Sequence, residues 1–285
     1  MKIAAVDIGT NAIKSKIFDT SPTSINFLEG IRTPVRLGTE VFKNGILSND
    51  TLELLVKTLK EYEEYFEKND INKFEIVATS AFRDTSNSED ARRYVENKIE
   101  HPIRIISGLE EAKLIRFHPK SENDNDKVFV DVGGGSTEFF YHNNGKSKIK
   151  SFQLGAVRLL HNKDNVEEWA KLRKWVNENN IPKRLIGLGG NIRSFLKMFS
   201  INSMSNIEFK KNYKKISEMS FDMMVKEYQL STDRADVIKN ALKIYSEIIE
   251  CGDIEKIKST KWGVSDSIAV KLFHEIYSRK IDIKK

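Results

Sequence analysis

Two stretches of this chain end an apolar run in an acid, then glycine, then a hydroxyl residue. Ile3-Ala4-Ala5-Val6-Asp7-Ile8-Gly9-Thr10 opens the sequence, and Val128-Phe129-Val130-Asp131-Val132-Gly133-Gly134-Gly135-Ser136-Thr137 repeats the pattern, with Asp131 standing 124 positions after Asp7. Glycine lets backbone N–H groups come close to phosphate oxygens. Carboxylates beside such turns can hold a divalent cation on the far side of the phosphates. Two such turns facing each other across a cleft would form a phosphate clamp. The phosphate-binding candidates are Gly9, Thr10 and Asn11, with Lys14 reaching the same anion, and Gly133, Gly134, Gly135, Ser136 and Thr137. Asp7, Asp131 and Glu138 are the metal candidates. Mg²⁺ uses one or two carboxylates together with waters and substrate phosphates, so not all three need be direct ligands.

Other residues could serve the same chemistry. Gly189-Gly190-Asn191, followed by Arg193, joins an apolar run to a helical pattern and forms a candidate anion site. Arg83 stands between a strand end and a helix start, where a guanidinium can take a phosphate through two hydrogen bonds. Arg158 is a further basic candidate, with a structural salt bridge as its alternative. Glu110-Glu111 opens a helix after Ser107-Gly108. Adjacent helical residues diverge by ~100°, so only one of the two can face a site. Acids in a first helical turn also complement the helix dipole in any protein.

Several readings fail. Gly145-Lys146-Ser147 is no Walker loop, because Phe140 occupies the position of the leading glycine. A dinucleotide fingerprint at 187–192 fails because Ile192 replaces the third glycine. The five histidines show no metal-ligand spacing, and the single Cys251 has no catalytic context.

These residues need elements to position them. Residues 3–9, Ala12 to Phe18 and Ile25 to Ile31 read as a three-stranded meander. Ser48-Asn49-Asp50 caps a helix through about Lys68, whose Leu52, Leu55, Val56, Leu59, Tyr62 and Phe66 share one face. A strand from Phe74, a helix from Ser86 to Lys98, a strand at Ile103 to Ile106 and a helix from Glu110 to Phe117 follow. After a polar stretch at 119–126 the order restarts. Val128 to Val132, Glu138 to Tyr141 and Ser147 to Phe152 form three strands, with Asn143-Asn144-Gly145 as a hairpin turn. A helix at Glu167 to Asn179, a strand at Arg184 to Leu188 and a helix at Asn191 to Phe199 come next. From about Asn206 to Tyr277 the chain reads as mainly helical. The duplication is one of element order, and it divides the chain into 1–122 and 123–285, the second domain carrying a helical extension.

The composition sets bounds. A chain of 285 residues suits about two domains. Charged residues at 31% and a net charge of +6 favour a polyanionic partner, although solvated helix faces account for much of the charge. One cysteine excludes an internal disulfide and fits a reducing cytoplasm. No membrane span or leader peptide is visible.

Seven motifs in register carry a resemblance. They are Asp7-Ile8-Gly9-Thr10-Asn11, Ala78-Thr79-Ser80-Ala81-Phe82-Arg83-Asp84, Ser107-Gly108-Leu109-Glu110-Glu111-Ala112, Asp131 through Glu138, Leu154 through Leu159, Gly187 through Arg193, and Asp233-Arg234-Ala235-Asp236-Val237-Ile238. Together they resemble the exopolyphosphatase/guanosine pentaphosphate phosphatase family, in its short two-domain form. The resemblance implies an α/β fold: two ribonuclease-H-like domains of the actin/sugar-kinase superfamily with an interdomain cleft. It implies a phosphoanhydride hydrolase that removes the terminal phosphate of polyphosphate or of guanosine pentaphosphate, with Mg²⁺, or Mn²⁺ in its place. It puts the general base at Glu110-Glu111, with Glu111 favoured, and supports Arg83 as a phosphate ligand.

The expected partners are the substrate itself, with neither nucleic acid nor membrane; a homodimer is compatible with the sequence. Exopolyphosphatase activity is the first expectation and guanosine pentaphosphate 5′-phosphatase the second. An ATP-dependent phosphotransferase and a catalytically weak polyphosphate or alarmone sensor are further alternatives. One departure stands out. Family members usually carry Gly-Leu-Arg-Glu-Gly after Val-Ser-Asp, whereas Val264-Ser265-Asp266 here runs into Ser267-Ile268-Ala269-Val270-Lys271.

Overall fold

The structure, a computed structural model, describes residues 1–121 and 125–282. Its contacts divide the chain into two units. Met1–Ser107 joins the helix Val264–Asp282 in one, and Gly108–Gly263 forms the other.

In the first unit, β1 (Lys2–Ile8), β2 (Ile13–Ser21) and β3 (Ser24–Thr33) make the expected antiparallel meander. Then come α1 (Leu37–Asn44), α2 (Asn49–Lys68), β4 (Lys73–Ala78), α3 (Ser80–Asp84), α4 (Ser88–Ile99) and β5 (Ile103–Ile105). The sheet order is β3-β2-β1-β4-β5. β1 sits at the centre and is apolar on both faces, as Ile3, Ala4, Ala5, Val6 and Ile8 are all buried. Ser48 caps α2, its Oγ accepting from Thr51 N at 3.3 Å. The predicted apolar stripe of α2 is buried as one face.

The second unit opens with α5 (Gly108–Leu114) and a 3₁₀ turn, Ile115–Phe117. It continues through β6 (Lys127–Val132), β7 (Thr137–Asn143), β8 (Lys146–Phe152), α6 (Ala156–Leu160), α7 (Val166–Asn179), β9 (Arg184–Leu188) and α8 (Gly189–Met198). The last elements are β10 (Ser203–Ser205), α9 (Asn206–Glu218), α10 (Phe221–Lys226), α11 (Thr232–Cys251) and β11 (Lys256–Ser259). Read from β8, the sheet runs β8-β7-β6-β9-β11, with β10 added at the edge. Its first five strands repeat the order of the first unit, so the chain carries the ribonuclease-H-like sheet twice. Asn144 and Gly145, both at positive φ (49° and 74°), make the two-residue hairpin turn between β7 and β8.

The structure departs from the expected division at 122/123 in two ways. That junction lies within 122–124, outside the described residues. The 110–117 segment, expected with the first domain, packs on β7 and β8. The 264–282 helix, expected with the second, packs on β1, β2 and β4, burying Ile268 and Ala269. Lys16 Nζ, on β2, holds Asp266 Oδ2 at 2.5 Å. This helix also accounts for the motif departure, since Ser267 to Lys271 is plain helix with an apolar face. β11 interrupts the expected helical run from 206 to 277, because Ile257 is fully buried between β9 and β10. Among the described residues no helix is long and apolar enough to cross a membrane.

Candidate active site

The two acid–glycine turns have one geometry. Each places four residues between paired strands, Ile8↔Ile13 in the first unit and Val132↔Thr137 in the second. Each is closed by its first N–H donating to its fourth carbonyl, Gly9 N to Ala12 O at 3.2 Å and Gly133 N to Ser136 O at 2.9 Å. Each turns its inner carbonyls toward the short helix that follows the meander. Thr10 O accepts from Gly38 N (2.8 Å) and Asn11 O from Arg36 N (3.0 Å). Gly134 O accepts from Val157 N (2.7 Å) and Arg158 N (3.0 Å), while Gly135 O accepts from Arg158 Nε (2.8 Å). With the carbonyls held on one side, the peptide planes put N–H donors on the other. Among the described residues the N–H groups of Gly134 and Gly135 donate to no acceptor. That is the arrangement of an anion-binding concavity.

Gly155 sets the height of the second loop. A Cβ there would lie 2.5 Å from both the Gly134 carbonyl carbon and its oxygen. Only a residue without a side chain lets α6 approach so closely. Thr137 Oγ1 fixes the far end of the loop by donating to Leu154 O at 2.6 Å.

Strand register builds a polar row beneath this loop. Ser151, Glu138, Asp131 and Leu188 are successive partners across β8, β7, β6 and β9. Asp131 and Glu138 therefore stand directly opposite on one face, where like charges repel. Glu138 is 1% exposed and accepts from Ser151 Oγ at 2.9 Å. Beyond Leu188, Gly189 turns at φ +77°, with its Cβ position 2.8 Å from Asp131 Oδ1. A side chain there would meet both the backbone penalty of the left-handed region and this carboxylate.

α5 lies over the same row. Ser151 and Glu138 surround the Cα of Gly108 so closely that a Cβ would collide with the Ser151 hydroxyl. Glu111 shares the helix face of Gly108, Ala112 and Ile115, whereas Glu110 is exposed. Helical phase thus separates the two acids that the sequence left side by side.

The donor set suits Mg²⁺. Two opposed carboxylates repel unless a cation lies between them, and a Mg²⁺ ion that keeps its waters and takes substrate phosphate needs no third protein ligand. Among the described residues no group of three or more His, Cys, Asp or Glu could hold a metal ion by itself. Asp7, the third candidate, belongs to the first unit. It is 3% exposed and faces Lys14 across the strand pair, Nζ to Oδ2 at 3.4 Å. Where the second unit places Glu138 opposite its acid, the first places a lysine.

A model of the Ppx/GppA phosphatase family matches residues 16–275. The chain belongs to this family. A bifunctional 3-dehydroquinate synthase/phosphatase of Fusobacterium nucleatum is 30% identical over 87% of this chain and 43% of its own length. The chain thus spans less than half of that relative. Two solved structures share the fold. An exopolyphosphatase from Cytophaga hutchinsonii has a TM-score of 0.82 and 18% identity, covering 96% of this chain and 98% of its own. A Ppx/GppA family member from Aquifex aeolicus has a TM-score of 0.75 and 21% identity, covering 98% of each.

The remaining candidates of this Ppx/GppA chain have defined positions. Arg83, in α3, donates from Nη1 to Ile106 O at 2.7 Å. Thr10 shares a 2.5 Å hydrogen bond with Ser80. Asn191 is buried and both ends of its amide are engaged, Nδ2 with Val132 O at 3.0 Å and Oδ1 with Arg234. It ties β6 to α11 behind the loop. Gly190 is the position where a side chain would displace the Arg234 guanidinium. Arg193 is exposed and lines a separate cavity. Arg158 is buried and braces Gly135, which makes it a loop-positioning residue. Sequence reasoning missed Ser151, Ser80 and Arg234. Arg234 lies in a quoted motif, but nothing in its spacing signals its partner 43 residues away.

Proposed function

We propose that this chain is an exopolyphosphatase, hydrolysing the terminal phosphoanhydride of inorganic polyphosphate to release orthophosphate. The observation that carries this reading is the pair of unspent N–H groups at Gly134 and Gly135 beside the opposed Asp131 and Glu138 carboxylates. Phosphoryl transfer needs charge neutralisation and a positioned water more than covalent help. The two N–H groups bind oxygens of the terminal phosphate. Glu111, on the face of α5 that overlies the polar row, orients the attacking water and takes its proton. Asp131 and Glu138 would hold Mg²⁺, which supplies positive charge to the phosphate oxygens when bound. The turn at 9–12, of the same build, is a second phosphate-binding turn. The net charge of +6 suits a long polyanion.

The test is steady-state phosphate release with Mg²⁺ from long-chain polyphosphate, tripolyphosphate and guanosine pentaphosphate, measured side by side. Wild type is expected to prefer the long chain. Glu111→Ala is expected to lower kcat by about 10²–10⁴-fold, the range of a general base, and Glu110→Ala by less than about tenfold. Equal rates for Glu111→Ala and wild type would remove the base assignment. Preference for guanosine pentaphosphate would replace the substrate and keep the site.

A further inference from the structure

A second feature of the Gly108–Gly263 unit lies outside the polar row. A cavity of about 560 Å³, within the usual range for small-molecule sites, opens beside α8 and the ends of β9 and β11. Five cations line it: Lys120, Arg193, Lys197, Lys258 and Lys261. Among the described residues no carboxylate does, and the lining shares no residue with the 133–137 loop, Asp131, Glu138 or Glu111. Among the described residues Arg193, Lys197 and Lys258 form no ion pair. Gathering like charges around one concavity raises a positive potential that low-dielectric walls focus. A solvated surface would be expected to intersperse acids.

The polar groups of the wall offer donors as well. His118 is 4% exposed, and its Nδ1 accepts the Lys120 N–H at 3.0 Å. Its Nε2 therefore carries the proton and donates to Thr260 Oγ1 at 3.2 Å. Thr260 Oγ1 also accepts from Trp262 N at 3.2 Å. A hydroxyl oxygen that accepts twice has only its proton left to give. Ile186 and Leu196 form an apolar floor.

From this wall of cations and donors we propose that the cavity is a second anion site that binds an oligophosphate chain, free or carried on a nucleoside. A single phosphate would leave part of the charge of Arg193, Lys197 and Lys258 uncompensated, whereas a chain brings roughly one charge per phosphate group into a small volume. The apolar floor can take a nucleoside attached to the chain. The inference does not depend on the catalytic reading, because the two sites share no residue.

The test is isothermal titration of the whole chain in EDTA, so that no turnover occurs, with tripolyphosphate and with ATP as separate probes. Wild type, Lys197→Gln/Lys258→Gln and Lys197→Arg/Lys258→Arg are compared. The Gln pair is expected to weaken binding at one site at least tenfold, the Arg pair to retain it, and tripolyphosphate turnover with Mg²⁺ to be unchanged in both. ATP binding more tightly than tripolyphosphate would assign the site to a nucleoside-borne chain, and equal affinities to the free chain. Undiminished binding of both probes to the Gln pair, or loss of binding by the Arg pair while its melting curve is intact, would overturn the proposal. No binding of either probe to wild type outside the 133–137 loop, judged by retention in Gly155→Ala, would do the same.

Discussion

Gly155→Ala tests the loop geometry most directly. The added methyl carbon would sit 2.5 Å from the Gly134 carbonyl carbon and oxygen, and ordinary contact begins at 3.4 Å. Backbone must therefore move by about 0.9 Å, because the clashing atoms are not the tip of a flexible side chain. The shift falls on the peptide that carries the Gly134 and Gly135 N–H donors. A misplacement of about 1 Å at a reacting centre can cost about 10²-fold in rate, equivalent to about 2.7 kcal/mol of barrier. Overpacking of this kind costs roughly 1–3 kcal/mol of stability. Phosphate release from polyphosphate should thus fall about a hundredfold in kcat, with a melting temperature lowered by only a few degrees. Gly145→Ala is the matched control. Its φ of +74° makes alanine strained, but nothing lies within 4 Å of the new methyl. It should lose about 1–2 kcal/mol of stability and keep its activity. If Gly155→Ala, folded by circular dichroism, turns over within threefold of wild type, the height of the loop does not control catalysis.

Three further predictions concern stability. Burial, with Lys120 and Lys127 nearby, pushes the His118 pKa down to about 4. The unfolded chain then binds the extra proton between about pH 4 and 6.5, so this group makes stability rise with pH through that window, by at most about 3 kcal/mol. Urea titrations from pH 4 to 7 should show a shallower slope in His118→Phe. Glu63 has the opposite sign, since burial raises its pKa to about 7. The folded state holds that proton longer, so stability falls as pH rises from about 4.5 to 7, and Glu63→Gln should flatten this part of the profile. Lys16→Met removes the ammonium that pairs with Asp266, which is 6% exposed. It should cost about 1–3 kcal/mol in chemical denaturation, and a loss below about 0.3 kcal/mol would mean that the pair does not anchor the 264–282 helix.

The strands and long helices were legible locally. β1 and β6 are apolar on both faces, α2 announces itself by Ser48 and a period-3.6 stripe, and Asn144-Gly145 marks its own hairpin. The turns at 9–12 and 133–136 were also visible, because glycine beside an acid at a strand end is a local signal. What the chain did not disclose locally is what supports those turns. α1 and α6 are too short to show a periodic pattern, yet their N–H groups hold the loop carbonyls and so direct the donors outward. β11 has four residues and only one buried by sequence alternation, so it reads as loop until β9 and β10 flank it.

Composition and spacing alone determined that this protein carries duplicated acid–glycine turns with the residues of phosphate chemistry. The tertiary structure decided which residues share a site. Strand register set Glu138 opposite Asp131 but Lys14 opposite Asp7. Helical phase put Glu111 on the packed face of α5 and left Glu110 outside. The fold also gave Asn191 and Arg158 supporting roles, and placed Arg193 beside Lys120, Lys258 and Lys261, which lie far from it in the chain. The physical reason is that backbone pattern is written over a few neighbouring residues, whereas the partner of a charge is fixed by which distant strand or helix lies beside it.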